Sequence, residues 1–444
     1  MKLAIKGGTP IRSTLFPAQN TIGLAEKEAA NRVLDSGLLT GYQGSWSKNF
    51  WGGPEVRALE EEFAAKMGVK HAIACNSATS GLFIACGAAG LGQRDEDGQD
   101  EFEEVIVTPF SMTCSATAPM GWHARPLFAD IERDYYCLDA NDARRKSYQA
   151  TKAIIPVSLF GQPYDADGIN ANAHERGALV IEDAAQALGS KLNGKYAGTL
   201  GDIGVFSFNL GKHLTCGEGG MMVTDDDELA MRCRLIMNHA EAVVNDMERK
   251  ADTPGSRGDV NISLAASVEK YKHLFGFNLR LPEISAAIMR VQLAKMDWLI
   301  KQRVENVEYL VSKLKDIPCL EMPKVRPGAT HTYYVLPLKY VYDENHGPVS
   351  HRDKFVAAVK AELAPVKDRE VEGVPIGCGY IRPISNMPLF DLPLDIVPEC
   401  TRQWQDELII LHRFFGPMAS RKDLDDVANA FEKVWTNREE LINA

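Results

Sequence analysis

Six short apolar runs, each followed by a polar turn, constrain this chain more than any other feature. HAIAC (71–75), EVIVT (104–108), KAIIPV (152–157), ALVIED (178–183), IGVFSF (203–208) and GMMVT (220–224) have the length of strands. Their near-continuous apolarity is that of strands buried on both faces. Helical patterns lie between them. Pro54 opens one, and Val56, Leu59, Phe63 and Met67 recur at spacings of three and four before Gly68 stops it. Another follows Pro282, with Ile284, Ala287, Ile288, Val291 and Ala294 on one stripe. Strand and helix alternating in this way predict an α/β fold: a mostly parallel central sheet covered by helices. In such a sheet, ligands bind beyond the carboxyl ends of the strands.

After about residue 300 the pattern changes to a helix, strands near THTYYVLPLKY and a closing helix at 422–438. We read residues 1–300, with the N-terminal arm, as a large domain and 301–444 as a smaller one, a division that 444 residues can support. The acidic stretch 92–104 reads as a solvated loop, and 241–275 as an insertion of the lid or dimer-contact kind. The net charge of −11 argues against a general binder of nucleic acid or anionic membrane, but leaves room for a locally basic pocket. The opening MKLAIKGGTPIRS has too short an apolar run for a signal peptide, and no run of about 18 apolar residues follows. The nine cysteines include no C-x-x-C pair, and Cys75 and Cys86 sit in apolar segments, so reduced thiols and a cytoplasmic location are expected. No metal-site spacing, Walker lysine motif or G-x-S-x-G elbow occurs.

The polar residues that follow these strands carry the chemistry. Asp183 ends VIED, and Gln186 stands three residues later. The pair is either a helix cap with its capping box or a buried acid facing a ligand. Ser207 ends a second strand, and Lys212 follows in a loop that closes on Gly-Glu-Gly-Gly at 217–220. An acid, a serine and a loop lysine at successive strand ends are the parts that hold pyridoxal phosphate. The acid keeps the pyridine nitrogen protonated so that the ring acts as an electron sink. The lysine forms the Schiff base and then shuttles protons. The turn Asn76-Ser77-Ala78-Thr79 precedes a helix of small and apolar residues, whose free N–H groups at Ala78 and Thr79 would face a phosphate together with Ser207. A plain Ser/Thr cap is the alternative for that turn.

The segments NSATSGL, SLFGQPYDAD, IEDAAQALGS, GTLGDIGVFSFNLGKHLTCGEGGMMVT and GFNLRLPEISAAIMRVQLAKMD resemble, in order, the signatures of the DegT family. Its members are fold-type I pyridoxal-phosphate aminotransferases acting on keto-sugars and cyclitols. The match runs from about residue 35 to 300, with weaker echoes beyond. The resemblance implies that Lys212 is the Schiff-base lysine, that Asp183 pairs with the pyridine nitrogen and that Gln186 lies by the ring. It further implies that Asn278 of GFNLRL reaches the phosphate of a neighbouring subunit, hence a homodimer with shared sites. Arg280 is either a carboxylate ligand or part of a structural ion pair. The chain departs from the pattern at Met112, where an aromatic ring usually stacks on the cofactor, and at Leu188 and Ser158, which stand where histidines are common. Family dehydratases carry histidine in place of the lysine; here His213 is only its neighbour. The expected function is transfer of an amino group from glutamate or glutamine to a keto-sugar or keto-cyclitol. The alternatives are a sugar dehydratase or aromatising synthase on the same fold, and a non-enzymatic binding member.

Overall fold

The fold was analysed in a computed structural model, which describes residues 2–45, 47, 49–92, 103–244, 266, 267, 271, 274–341 and 351–442. Most of the 92–104 and 241–275 segments lies outside the described residues. All six expected strands form, as β1 (His71–Cys75), β2 (Glu104–Val107), β4 (Thr151–Ile155), β5 (Leu179–Asp183), β6 (Ile203–Ser207) and β7 (Gly220–Thr224). A seventh, β3 (Arg125–Phe128), was not expected from its sequence. It contains Pro126 and pairs only with β2, so it closes one edge of the sheet. At an edge a missing N–H breaks no ladder bond, which is why a proline-containing segment can serve there.

The strand order is β1-β7-β6-β5-β4-β2-β3. Every pair is parallel except the two made by β7, which runs against both β1 and β6. Helices cover the sheet. Pro54–Met67 starts at its proline and ends at Gly68, whose φ of +73° is the left-handed value that glycine adopts freely. The helix Glu283–Ala294 forms as expected and buries Ala287 of the anticipated stripe, but with it Ala286, Met289 and Leu293. The anticipated Ile284 and Val291 are only partly buried and pack beside Ala29 and Val33 of the helix Leu24–Ser36. Two more residues of the helix, Glu283 and Gln292, are buried with hydrogen-bond partners. The Glu283 carboxylate accepts from Gly53 N at 3.1 Å and Glu55 N at 2.8 Å, at the start of the helix Pro54–Met67.

A second, antiparallel sheet is ordered β8 (Leu320–Glu321), β9 (Leu336–Tyr340), β11 (Leu408–Leu411), β10 (Ile376–Gly377). Its core gathers Phe355, Phe414, Phe415 and Phe431, and also Leu3 and Phe16 from the other end of the chain. Buried Glu362 explains that capture: it accepts from Ala4 N and Ile11 N and pairs with Lys433 at 2.7 Å. Arg12 bridges Asp423 and Asp426 at 2.7 and 2.9 Å. All nine cysteines are free thiols, and no described helix is long and apolar enough to cross a membrane.

Candidate active site

The antiparallel direction of β7 brings the sequence motifs together. Gly220 opens β7 but pairs with Cys75 on one side and Ser207 on the other, both at carboxyl ends. Asp183 ends the next strand, opposite Val205. One edge of the sheet thus carries the acid, the serine, the glycine turn and the start of the helix Ala78–Ala88.

Asp183 is 3% exposed. No helix follows it, so the capping alternative is not realised. Its carboxylate accepts from Ala185 N at 3.1 Å and from the Ser115 hydroxyl at 2.9 Å. Burial pushes its pKa above the ordinary carboxylate range; those two donors and the charge of Lys212 oppose the shift. Gln186 is also buried, and its Oε1 accepts from Phe160 N at 3.1 Å while its Nε2 donates to the Tyr380 hydroxyl at 2.9 Å. Ser207 is 8% exposed, and among the described residues its hydroxyl accepts only a long 3.4 Å bond from Asn209 N.

The helix Ala78–Ala88 is capped by Ser77, whose hydroxyl accepts from Ser80 N at 3.1 Å. The N–H groups of Ala78 and Thr79 stand ahead of the first helical acceptor and have no intrahelical partner. Nearby, the Cys114 thiol is raised to about 11 by burial and by Asp183, and so stays protonated at neutral pH. Gly220 lies hard against this turn: a Cβ there would stand 2.6 Å from Ser77 C and 2.8 Å from Ala78 N. Gly217 serves differently, supplying a φ of +94° where the loop reverses.

Lys212 sits in that loop, which is held by Phe208 N to Gly219 O and Leu210 N to Gly217 O bonds of 2.8 and 2.9 Å. Its Nζ lies 4.3 Å from the ring centroid of Tyr334, which stands two residues before β9. His213 is buried with Nε2 3.1 Å from the Thr332 carbonyl, and burial holds its pKa far below the usual imidazole value. Leu188 is buried in the first core, and Ser158 donates at 2.7 Å to buried Glu182.

Other expected residues lie outside this cluster. Met112 is 57% exposed on the single chain. Asn278 is exposed, and its backbone bridges Asn238. Arg280 makes no described ion pair; its Nε donates to Asn238 Oδ1 at 2.8 Å. Ser115 and Tyr380, which hold Asp183 and Gln186, were not singled out beforehand. They stand 68 and 194 positions from their partners, and no local spacing marks them.

Known proteins place this arrangement. Residues 38–432 match the pattern of the DegT/DnrJ/EryC1/StrS aminotransferase family. The spore coat polysaccharide biosynthesis protein SpsC of Bacillus subtilis (strain 168) is 33% identical over 77% of this chain and 79% of its own. The L-glutamine:2-deoxy-scyllo-inosose aminotransferase of Streptomyces kanamyceticus is 31% identical over 98% of this chain and 97% of its own. Among solved structures, DesI in the presence of its TDP-sugar product superposes with a TM-score of 0.79 at 27% identity, covering 99% of this chain and 98% of that one. With a match of this extent in both pattern and length, the chain belongs to the DegT/DnrJ/EryC1/StrS aminotransferase family.

Proposed function

We propose that the protein uses pyridoxal phosphate to move an amino group from glutamate or glutamine to the ketone of a sugar or cyclitol. The observation that carries this reading is the single sheet edge at which buried Asp183, Ser207, the Ala78–Thr79 turn and the Lys212 loop converge. That set suits the cofactor. Unpaired helix N–H groups and a hydroxyl fit a phosphate, a buried carboxylate fits a protonated pyridine nitrogen, and a lysine fits an aldehyde. The nearly full-length likeness to an aminotransferase named for 2-deoxy-scyllo-inosose supports a polyol ketone as acceptor.

When bound, the cofactor supplies an electron sink for the bond broken at the amino-acid α-carbon. Asp183 keeps a proton on the ring nitrogen, and the Ser115 hydroxyl fixes its carboxylate for that purpose. Ser207, Ala78 and Thr79 bind the phosphate. Gln186 holds the ring's surroundings through Phe160 and Tyr380; Met112, exposed on the single chain, would offer a thioether to the cofactor in place of a stacking ring. Lys212 would hold the cofactor through its amine and would move a proton at the α-carbon. The exposed Asn278, flanked by Phe277 at 48% and Phe275 at 44% exposure, suits a face that a second copy covers. The reading includes a homodimer in which Asn278 reaches the partner's phosphate. It also includes a two-domain division, although residue 300 itself lies within the helix Met296–Leu314 and the arm packs on the smaller unit rather than the large one.

Incubation with pyridoxal phosphate, borohydride reduction and peptide mapping test the reading. A pyridoxyl label is expected on Lys212, and a label on any other lysine overturns it. Protein preloaded as the pyridoxamine form should then aminate members of a panel of keto-sugars and keto-cyclitols.

A further inference from the structure

We propose that the cavity beside Lys212 is a carboxylate subsite, in which Arg303 and Arg413 take the α-carboxylate of the amino-acid donor; this rests on the transaminase reading above. The cavity, about 370 Å³, is lined by the Lys212 loop, the arm residues 18–22, Arg303 from the helix Met296–Leu314 and the segment after β11. Lys212, Arg303, Arg369 and Arg413 line it against a single carboxylate, Asp368, in a chain of net charge −11.

Its charges do not balance. Arg413 forms a close ion pair with Asp368, and Arg369 pairs with Glu372 at 2.6 Å. Arg303 has no carboxylate partner among the described residues; its one hydrogen bond goes to the Tyr333 carbonyl at 3.2 Å. One guanidinium therefore faces the cavity without a counter-charge. Burial and neighbouring Arg413 lower the Arg303 pKa to about 10, so it remains a cation at neutral pH. His412, held down to about 3 chiefly by burial, adds no charge.

The Arg413 side chain has the features of a ligand rather than a brace. It is 6% exposed, yet its Nε has no hydrogen-bond partner. Its backbone is held at φ +70°, a left-handed value that costs a non-glycine residue energy and persists where the surroundings enforce it. A planar carboxylate in the cavity neutralises Arg303 and shares the Arg413 guanidinium with Asp368. Gly416 lies against the arm, where a Cβ would meet the end of the Gln19 side chain at 2.0 Å.

Glutarate, which carries no amine and cannot transaminate, serves as the probe, titrated calorimetrically into the pyridoxal-phosphate-loaded protein. We expect binding that weakens about tenfold or more in Arg303→Gln. That substitution orphans no partner charge, and a thermal melt checks its fold. Asp368→Asn, which removes the carboxylate already on Arg413, is expected to tighten glutarate several-fold. Equal binding in the parent and Arg303→Gln overturns the subsite, as does weaker binding in Asp368→Asn. Arg303-dependent binding of inorganic phosphate without binding of glutarate also overturns it, in favour of a phosphate site. Because glutarate binding needs no amino transfer, loss of the subsite with amination intact refutes only the subsite. Intact Arg303-dependent binding without amination refutes only the transaminase reading.

Discussion

Replacing Gly220 with alanine is the sharpest test of how this site is built. The new Cβ would stand 2.6 Å from Ser77 C, 2.7 Å from Ser77 O and 2.8 Å from Ala78 N, all main-chain atoms that cannot rotate away. Ordinary contact lies near 3.4 Å or beyond, so the turn must retreat by about 0.8 Å or β7 must shift. Such overpacking costs about 1–3 kcal/mol of stability. The retreat also moves the Ala78 N–H, one of the two main-chain donors assigned to the phosphate. Losing one hydrogen bond to a charged acceptor costs about 1.5–3 kcal/mol, a weakening of cofactor binding by roughly ten- to a hundredfold. Gly217→Ala is the control. Nothing lies within 4 Å of its Cβ position, but its φ is +94°. It should cost about 1 kcal/mol through backbone strain and leave cofactor affinity unchanged. Urea melts of the cofactor-free proteins and absorbance titrations with pyridoxal phosphate measure both effects. A Gly220→Ala protein with parental cofactor affinity, or a Gly217→Ala protein weakened as much, refutes the close-approach argument.

Three further outcomes are expected. Asp183→Asn should fold and bind cofactor but slow the half-reaction with the amino donor by about a hundredfold or more, because an amide cannot keep the ring nitrogen protonated; near-parental stopped-flow rates would leave the acid without a catalytic role. Buried Glu182 is pushed up to about 7 from an ordinary 4.5 by burial, so the folded chain holds a proton there that the unfolded chain releases. Its contribution is complete below pH 4.5 and declines, by about 3 kcal/mol in all, as pH rises to about 7. Glu182→Gln should flatten that part of the stability profile, and parallel urea-melt profiles for parent and variant would contradict the assignment. Asn278→Ala should weaken cofactor binding by roughly ten- to a hundredfold. Pairing Lys212→Ala subunits with Asn278→Ala subunits gives one site complete in both residues if sites are shared. Parental affinity at the surviving Lys212 is then expected, whereas affinity as weak as in the Asn278→Ala homodimer would place the asparagine within its own chain's site.

The sequence by itself determined the six apolar strands, because a strand buried on both faces needs an uninterrupted apolar run, and such runs end sharply at Asp183 and Ser207. It also determined the helix Pro54–Met67, whose proline and glycine act locally. It could not assign a direction to β7, since a run buried on both faces reads alike either way; yet that direction is what sets Gly220 between Cys75 and Ser207. It passed over β3, where proline is tolerated only because the strand lies at an edge, a fact of topology. The partners of the site residues were equally hidden. Ser115 reaches Asp183 across 68 residues and Tyr380 reaches Gln186 across 194, and hydrogen bonds of that separation leave no periodic trace. The tertiary structure alone decided that Leu3 and Phe16 join the second core, that residues 18–22 wall the cavity beside Lys212, and that Arg303 and Arg413 meet there. Apolar periodicity records which face of an element is buried. It carries no record of which distant charge is buried beside it, because that is settled only when separate elements pack.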